Sequence, residues 1–195
     1  MPGMAVAERK MTADEFLALE DPRRGLQLIA GEVVVNQPAW RHQRAVGSLA
    51  VALCDWIRAG TRRGEVILPL DVKLDDHNVY APDLLWYPAG TGPAADDRGP
   101  PYPIPDLAVE VRSPSTWRYD LGTKKSTYEA HGLCELWLVD TDGACVLVYR
   151  RSRPAAPTFD IELEAACDDS LTSPLLPGFA LPLDGLFDTT PDSAG

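Results

Sequence analysis

Three residues of this sequence stand where they can do chemistry together: Asp83, Glu110 and Lys124. Glu110 sits in the run Leu107-Ala108-Val109-Glu110-Val111, where a carboxylate is costly to bury unless it is paired or holds a cation. Strand alternation sends Leu107, Val109 and Val111 to one face and Ala108, Glu110 and Arg112 to the other, so Glu110 is expected to look into a cleft. Asp83 opens a second apolar run, directly after Pro82. Two carboxylates on neighbouring strands can line an oxygen site for a hard divalent ion, which suits magnesium or manganese. Such an ion polarises a phosphoryl oxygen and lowers the pKa of bound water. A lysine nearby would orient the nucleophile or offset charge on the phosphate, and Lys124 lies on the helix after the Glu110 strand. The plainer readings are a Glu110–Arg112 ion pair along one strand face, and an Asp120–Lys124 surface pair with Asp120 as a helix cap.

The elements that must position these residues are readable in outline. Residues 12–19 form a short helix, with Thr12 and Glu15 spaced for a capping box. Residues 27–35 read as two strands around a turn at Gly31. From Trp40 to Arg58, Val46, Leu49, Leu53, Trp56 and Ile57 recur at helical steps, and Gly60 ends the helix. Residues 65–74 alternate as one strand, with Leu68, Leu70, Val72 and Leu74 on one face. Asp71 lies on its polar face, directed at the same cleft. A strand over 82–87 and a Gly/Pro/Asp loop over 88–105 lead to an apolar strand at 106–112, expected inside the sheet. Residues 120–131 are helical and close at Gly132. Residues 135–140 and 145–150 form a hairpin around Thr141-Asp142-Gly143, and a last strand falls near 159–163. This order predicts one α/β (α+β) domain over 12–187, a mixed sheet flanked by helices, between tails at 1–11 and 188–195.

Composition narrows the function. A net charge of −11 counts against a general nucleic-acid coat, because non-specific affinity comes from neutralising phosphates with Lys and Arg. It leaves room for an enzyme that holds DNA at a local basic patch. No apolar run is long enough to span a bilayer, and the first residues carry no signal core, so a cytoplasmic protein with no membrane partner is expected. Cys54, Cys134, Cys145 and Cys167 make no CxxC pair, and the histidines are scattered. No zinc site or disulfide is expected, and three of the cysteines, in apolar surroundings, read as reduced, buried thiols.

A longer pattern joins these pieces. Leu26-Gln27-Leu28-Ile29-Ala30-Gly31-Glu32-Val33, Arg41-His42-Gln43, Ala81-Pro82-Asp83-Leu84, Asp106 through Thr116, Asp120-Leu121-Gly122-Thr123-Lys124-Lys125 with Tyr128, and Glu135 through Asp140 follow in order. Together they resemble the Uma family, a branch of the PD-(D/E)XK superfamily of restriction-endonuclease-like nucleases. The resemblance implies a magnesium-dependent endonuclease acting on DNA, with Asp83 and Glu110 as metal-binding acids and Lys124 as the catalytic lysine. Arg112 stands where simpler members carry that lysine, which leaves Arg112, Lys124 and Lys125 in contention. The family spacing Asp120–Lys124–Tyr128 favours Lys124. Glu32 and His42 are accessory candidates, and Arg41, Arg44 and Lys125 are candidate phosphate contacts. The family carries an acid at the position of Gln27 and often one at Ala30. Their loss here supports a second reading, a catalytically degenerate, dimeric binding module. A third places a small phosphorylated or nucleotide substrate in the acidic cleft.

Overall fold

The computed structural model describes residues 9–19, 25–94 and 96–187; the N-terminal tail up to residue 8 and the tail from residue 188 lie outside the described residues. Thr12 caps α1 (Ala13–Leu17) as its spacing predicts. Its backbone N–H donates to Glu15 Oε2 at 2.9 Å, and its Oγ1 accepts the Glu15 N–H at 3.3 Å. β1 (Leu26–Ile29) and β2 (Glu32–Val35) form a hairpin in which Ile29 faces Glu32. Ala30 and Gly31 make the turn with φ of 51° and 82°, the left-handed backbone of a type I′ turn. α2 (Trp40–Arg58) buries Ala45, Val46, Leu49, Leu53 and Trp56 along one stripe.

Residues 65–74 do not form the single strand expected. β3 (Glu65–Ile67) and β4 (Val72–Asp75) belong to different sheets. Pro69 removes a ladder donor between them, Leu68 is left 61% exposed, and only Val72 of the four aligned apolar residues is buried. β5 (Asn78–Tyr80) returns antiparallel to β4 and pairs with β1, giving a four-stranded sheet in the order β2-β1-β5-β4.

The larger sheet holds the site. β6 (Leu84–Tyr87) runs antiparallel to β7 (Leu107–Val111), and β7 runs parallel to β8 (Glu135–Asp140). A parallel pair needs a crossover. Here it is α3 (Trp117–Tyr119), a wide π turn over Asp120–Lys124, and α4 (Lys125–Ala130). The helical stretch therefore starts before residue 120 and is not uniformly α. β9 (Cys145–Arg150) and β10 (Ile161–Ala166) complete the order β10-β9-β8-β7-β6-β3. The last strand starts later than expected because Phe159 is drawn into the core. β11 (Ser170–Leu171), β12 (Leu181–Pro182) and α5 (Asp184–Phe187) close the chain, with α5 against α2.

β7 is paired on both sides and all five of its residues are buried, as its apolar character predicts. Leu107, Val109 and Val111 join the core under α2, and Ala108 joins a second core on the other face with Tyr128 and Tyr80. The four cysteines are free and only half-buried, so the buried thiols expected are not found. Among the described residues no helix is long and apolar enough to cross a membrane.

Candidate active site

Asp83 ends the approach to β6. Its Oδ2 accepts the Val111 N–H at 2.7 Å and lies 3.1 Å from His42 Nε2. The β6–β7 register pairs Leu84 with Val109, so its continuation sets Val111 opposite Pro82. The Asp83 carboxylate takes the next amide in that ladder. His42 comes from the first turn of α2, where it extends the stripe of Ala45, Val46 and Leu49 inward. The two side chains are 3% and 8% exposed. The other ring nitrogen, Nδ1, is buried with no hydrogen-bond partner.

Glu110 projects from the opposite face of β7 to Val109. Its Oε1 accepts from Tyr128 Oη at 2.8 Å and lies 2.6 Å from Lys124 Nζ. Lys124 also lies 3.0 Å from Asp120 Oδ1, and its ammonium stands 5.5 Å from the centre of the Tyr80 ring. Asp120 Oδ2 accepts from Thr116 Oγ1 at 3.2 Å. The ammonium pairs by charge, but neither contact is aligned as a hydrogen bond: Lys124 Nζ and Asp120 Oδ1 both remain buried polar atoms without one. Lys124 is 1% exposed. The surface Asp120–Lys124 pair is thus overturned: the wide turn carries both side chains inward.

Burial pushes the Glu110 carboxyl up to about 8; the Lys124 charge opposes this, and Asp120 and Asp83 add to it. Burial works against the Lys124 charge, but Asp120 and Glu110 outweigh it and hold the ammonium above the ordinary lysine value. Burial, followed by the Glu110 charge, raises the Tyr128 hydroxyl well above its usual range, so it stays a donor to the carboxylate.

A family model described as "Putative restriction endonuclease" (Uma2) matches residues 13–184. The chain belongs to the Uma2 family. A solved structure from Anabaena variabilis ATCC 29413, described as "a putative nuclease belonging to DUF820", superposes with a TM-score of 0.74 at 21% identity, covering 91% of this chain and 97% of that one. It shares the fold. No curated protein matches the chain.

Against the Uma2 pattern, the remaining candidates separate. Arg112 does not pair with Glu110; it lies 2.8 Å from Asp140 and 3.2 Å from Asp142, with its guanidinium 5.5 Å from the Trp117 ring centre. Lys125 bonds Glu162 at 2.9 Å and lies 4.0 Å from the Tyr149 ring centre, on the β9–β10 side. Of the three basic residues, Lys124 alone meets Glu110. Glu32 is exposed beside the β1–β2 turn, at the opposite end of that hairpin from Gln27. Gln27 is buried, and its Oε1 accepts the Ala81 N–H at 3.3 Å, two residues before Asp83. An acid at this position would sit beside the site, and this chain has an amide there. Arg41 and Arg44 are exposed on the first turns of α2. Asp71 lies in the Pro69-to-Val72 connection, lining a surface cavity with Ala81 and Tyr102. Asp120 was legible as a cap and a surface partner of Lys124; its four-residue spacing announced the pair but not its burial.

Among the described residues no group of three or more His, Cys, Asp or Glu is arranged to hold a metal ion. The acids that the Uma resemblance names as its ligands, Asp83 and Glu110, are both buried. Asp83, Glu110 and Asp120 are three buried acids, against which Lys124, paired with the last two, supplies one ammonium, so acidic groups are in excess. A divalent cation answers that excess, and magnesium commonly takes one or two carboxylates with waters and substrate phosphates filling its shell.

Proposed function

We propose that this chain is a metal-dependent endonuclease that hydrolyses DNA phosphodiester bonds, with magnesium or manganese held by Asp83 and Glu110. The observation that carries the reading is the buried Glu110–Lys124–Asp120 group, near enough to Asp83 for Glu110 and Asp83 to act on each other, which sets three acids around one ammonium. When bound, the ion supplies Lewis-acid polarisation of the phosphoryl group and a lowered pKa for bound water. Val111 N–H and His42 fix one oxygen of Asp83 and leave the other for the ion. Tyr128 fixes Glu110. Lys124, already charged, offsets the charge that develops on the phosphate in the transition state. The enzyme works as one domain over residues 12–187, as a homodimer in the cytoplasm, with DNA as its substrate.

Gln27 in place of an acid favours a second reading, a dimeric binding module that has lost its chemistry. One experiment separates the two. Supercoiled, linear, single-stranded and flapped DNA are incubated with the protein at low ionic strength in magnesium, in manganese and in EDTA. Cleavage that needs the metal and is abolished in Glu110→Ala supports the nuclease. Metal binding with no cleavage of any form supports the module.

A further inference from the structure

Beside Asp83 and its partner His42 opens a cavity of about 450 Å³ that the chemistry above does not use, lined by Trp40, Arg41, His42, Arg112 and Pro114 with Asp142 at its edge. Trp40 is 79% exposed, the most exposed large apolar side chain among the described residues. It opens α2, a helix whose N-cap, Ala39, offers no capping side chain and whose first turn holds no acid. Burial of a core cannot account for an indole in that place. The nearby charges differ in availability. Arg112 is committed to Asp140 at 2.8 Å. Arg41 is 59% exposed, and its contact with the 60% exposed Asp142 is 3.9 Å, a weak surface pair that solvent and salt readily dissolve. Arg44 lies exposed one turn further along the helix.

We infer that this cavity is a subsite for an unpaired nucleotide of the DNA substrate, with its base stacked on Trp40 and its phosphate met by Arg41. The inference rests on the nuclease reading and narrows its substrate to DNA with a single-stranded segment next to the cut, such as a flap, gap or end. Three observations support it. An indole needs a free base face, which a base inside a duplex does not offer. The subsite adjoins His42, which contacts Asp83, so a strand seated there runs on into the metal-binding acids. The chain also carries a net charge of −11, so it is poorly made to win affinity by neutralising many phosphates. Stacking supplies affinity with few cations and with little dependence on sequence.

The test measures binding in EDTA, where a metal-dependent enzyme does not cut. Fluorescein-labelled oligothymidylate, and its duplex with oligoadenylate, are titrated with wild type, Trp40→Ala and Trp40→Phe, and circular dichroism confirms the fold of each. Removal of one stacking side chain should weaken the single strand by about five- to a hundredfold. The duplex should change by less than about twofold, and the phenyl ring should recover most of the loss. Wild-type tryptophan emission should be quenched by the single strand, and Trp40→Phe should lose most of that quenching; Trp56, Trp86 and Trp137 are buried, and the half-buried Trp117 beside Arg112 sets the residual signal. The inference is overturned if wild type binds no single strand, if Trp40→Ala binds it unchanged, or if both DNA forms weaken equally. Duplex cleavage by a protein that binds no single strand would sink this subsite and keep the nuclease. Trp40-dependent binding by a protein that cuts nothing in magnesium would keep the subsite and sink the nuclease.

Discussion

Replacement of Lys124 by methionine removes a charge from the site while keeping a long, flexible side chain in its space. Lys124 is 1% exposed, with carboxyl oxygens at 2.6 and 3.0 Å, so its loss removes the charge partner of the buried Asp120 and, once Glu110 ionises, of Glu110 as well. Breaking one side of a buried ion pair costs about 3 to 5 kcal/mol. The cost should depend on pH in a definite direction. With Glu110 held up to about 8, the carboxyl is protonated at pH 6 in wild type and variant alike. Above pH 8 it ionises in wild type beside Lys124; in the variant the main influence that lowers its pKa is gone, so it keeps its proton. The variant then falls behind by about 1.4 kcal/mol for each further pH unit. In EDTA, Lys124→Met should therefore lose about 3 to 5 kcal/mol at pH 6 and roughly 1.4 more at pH 9, read from urea melts. The corresponding fall in Tm at pH 6 is roughly 6 to 20 °C for a chain of this length. A penalty below about 1 kcal/mol at both pH values, or one that shrinks as pH rises, would refute the buried ion group as the reason for this lysine.

Other consequences are as direct. Because the native state holds the Glu110 proton more tightly than the unfolded chain, this group's stabilisation is fully present below its ordinary value of 4.5 and is lost as pH rises through about 8. Metal-free protein should accordingly melt at a lower temperature at pH 9 than at pH 5 on this group's account. Manganese at a hundred times its dissociation constant should restore about 2.7 kcal/mol in wild type and nothing in Glu110→Gln, by differential scanning calorimetry. Arg112→Gln should keep metal-dependent cleavage within several-fold, since Arg112 serves Asp140 and Asp142; a loss of a hundredfold or more would return the lysine role to Arg112. Val109→Asp buries an unpaired charge in the interior strand and should yield insoluble protein, checked by soluble expression.

Much of this arrangement was legible because short-range rules set it. The capping box of Thr12 and Glu15, the hairpin at Gly31, the stripe on α2 and the two faces of β7 each follow from spacing alone. The strand over 65–74 misled because alternation continues through Pro69, and alternation carries no information about which sheet a segment joins. Glu110 and Asp83 stood out as acids bordering apolar runs. The depth of Lys124 was hidden, because four-residue spacing describes an exposed ion pair and a buried one equally well. Only the wide turn at Asp120–Lys124 and the packing of Tyr80 and Tyr128 decide between them. The fates of Arg112 and Lys125 rest on Asp140, Asp142 and Glu162, partners from distant hairpin positions that no local pattern announces.

The bond from Val111 N–H to Asp83 Oδ2 gives this aspartate a second occupation. A carboxylate here finishes the pairing of an interior strand, so its removal leaves a buried amide with nothing to accept it, at a cost of about 1 to 3 kcal/mol. Asparagine can do that work with its carbonyl oxygen, while binding metal far less well. On the nuclease reading, a descendant that abandoned hydrolysis would still be under pressure to keep an acceptor after the proline. Among relatives, an intact Pro-Asp pair therefore testifies to an intact sheet first. Retention of Glu110 together with Lys124, which burial makes expensive to keep for any other purpose, is the better witness that a lineage still cuts.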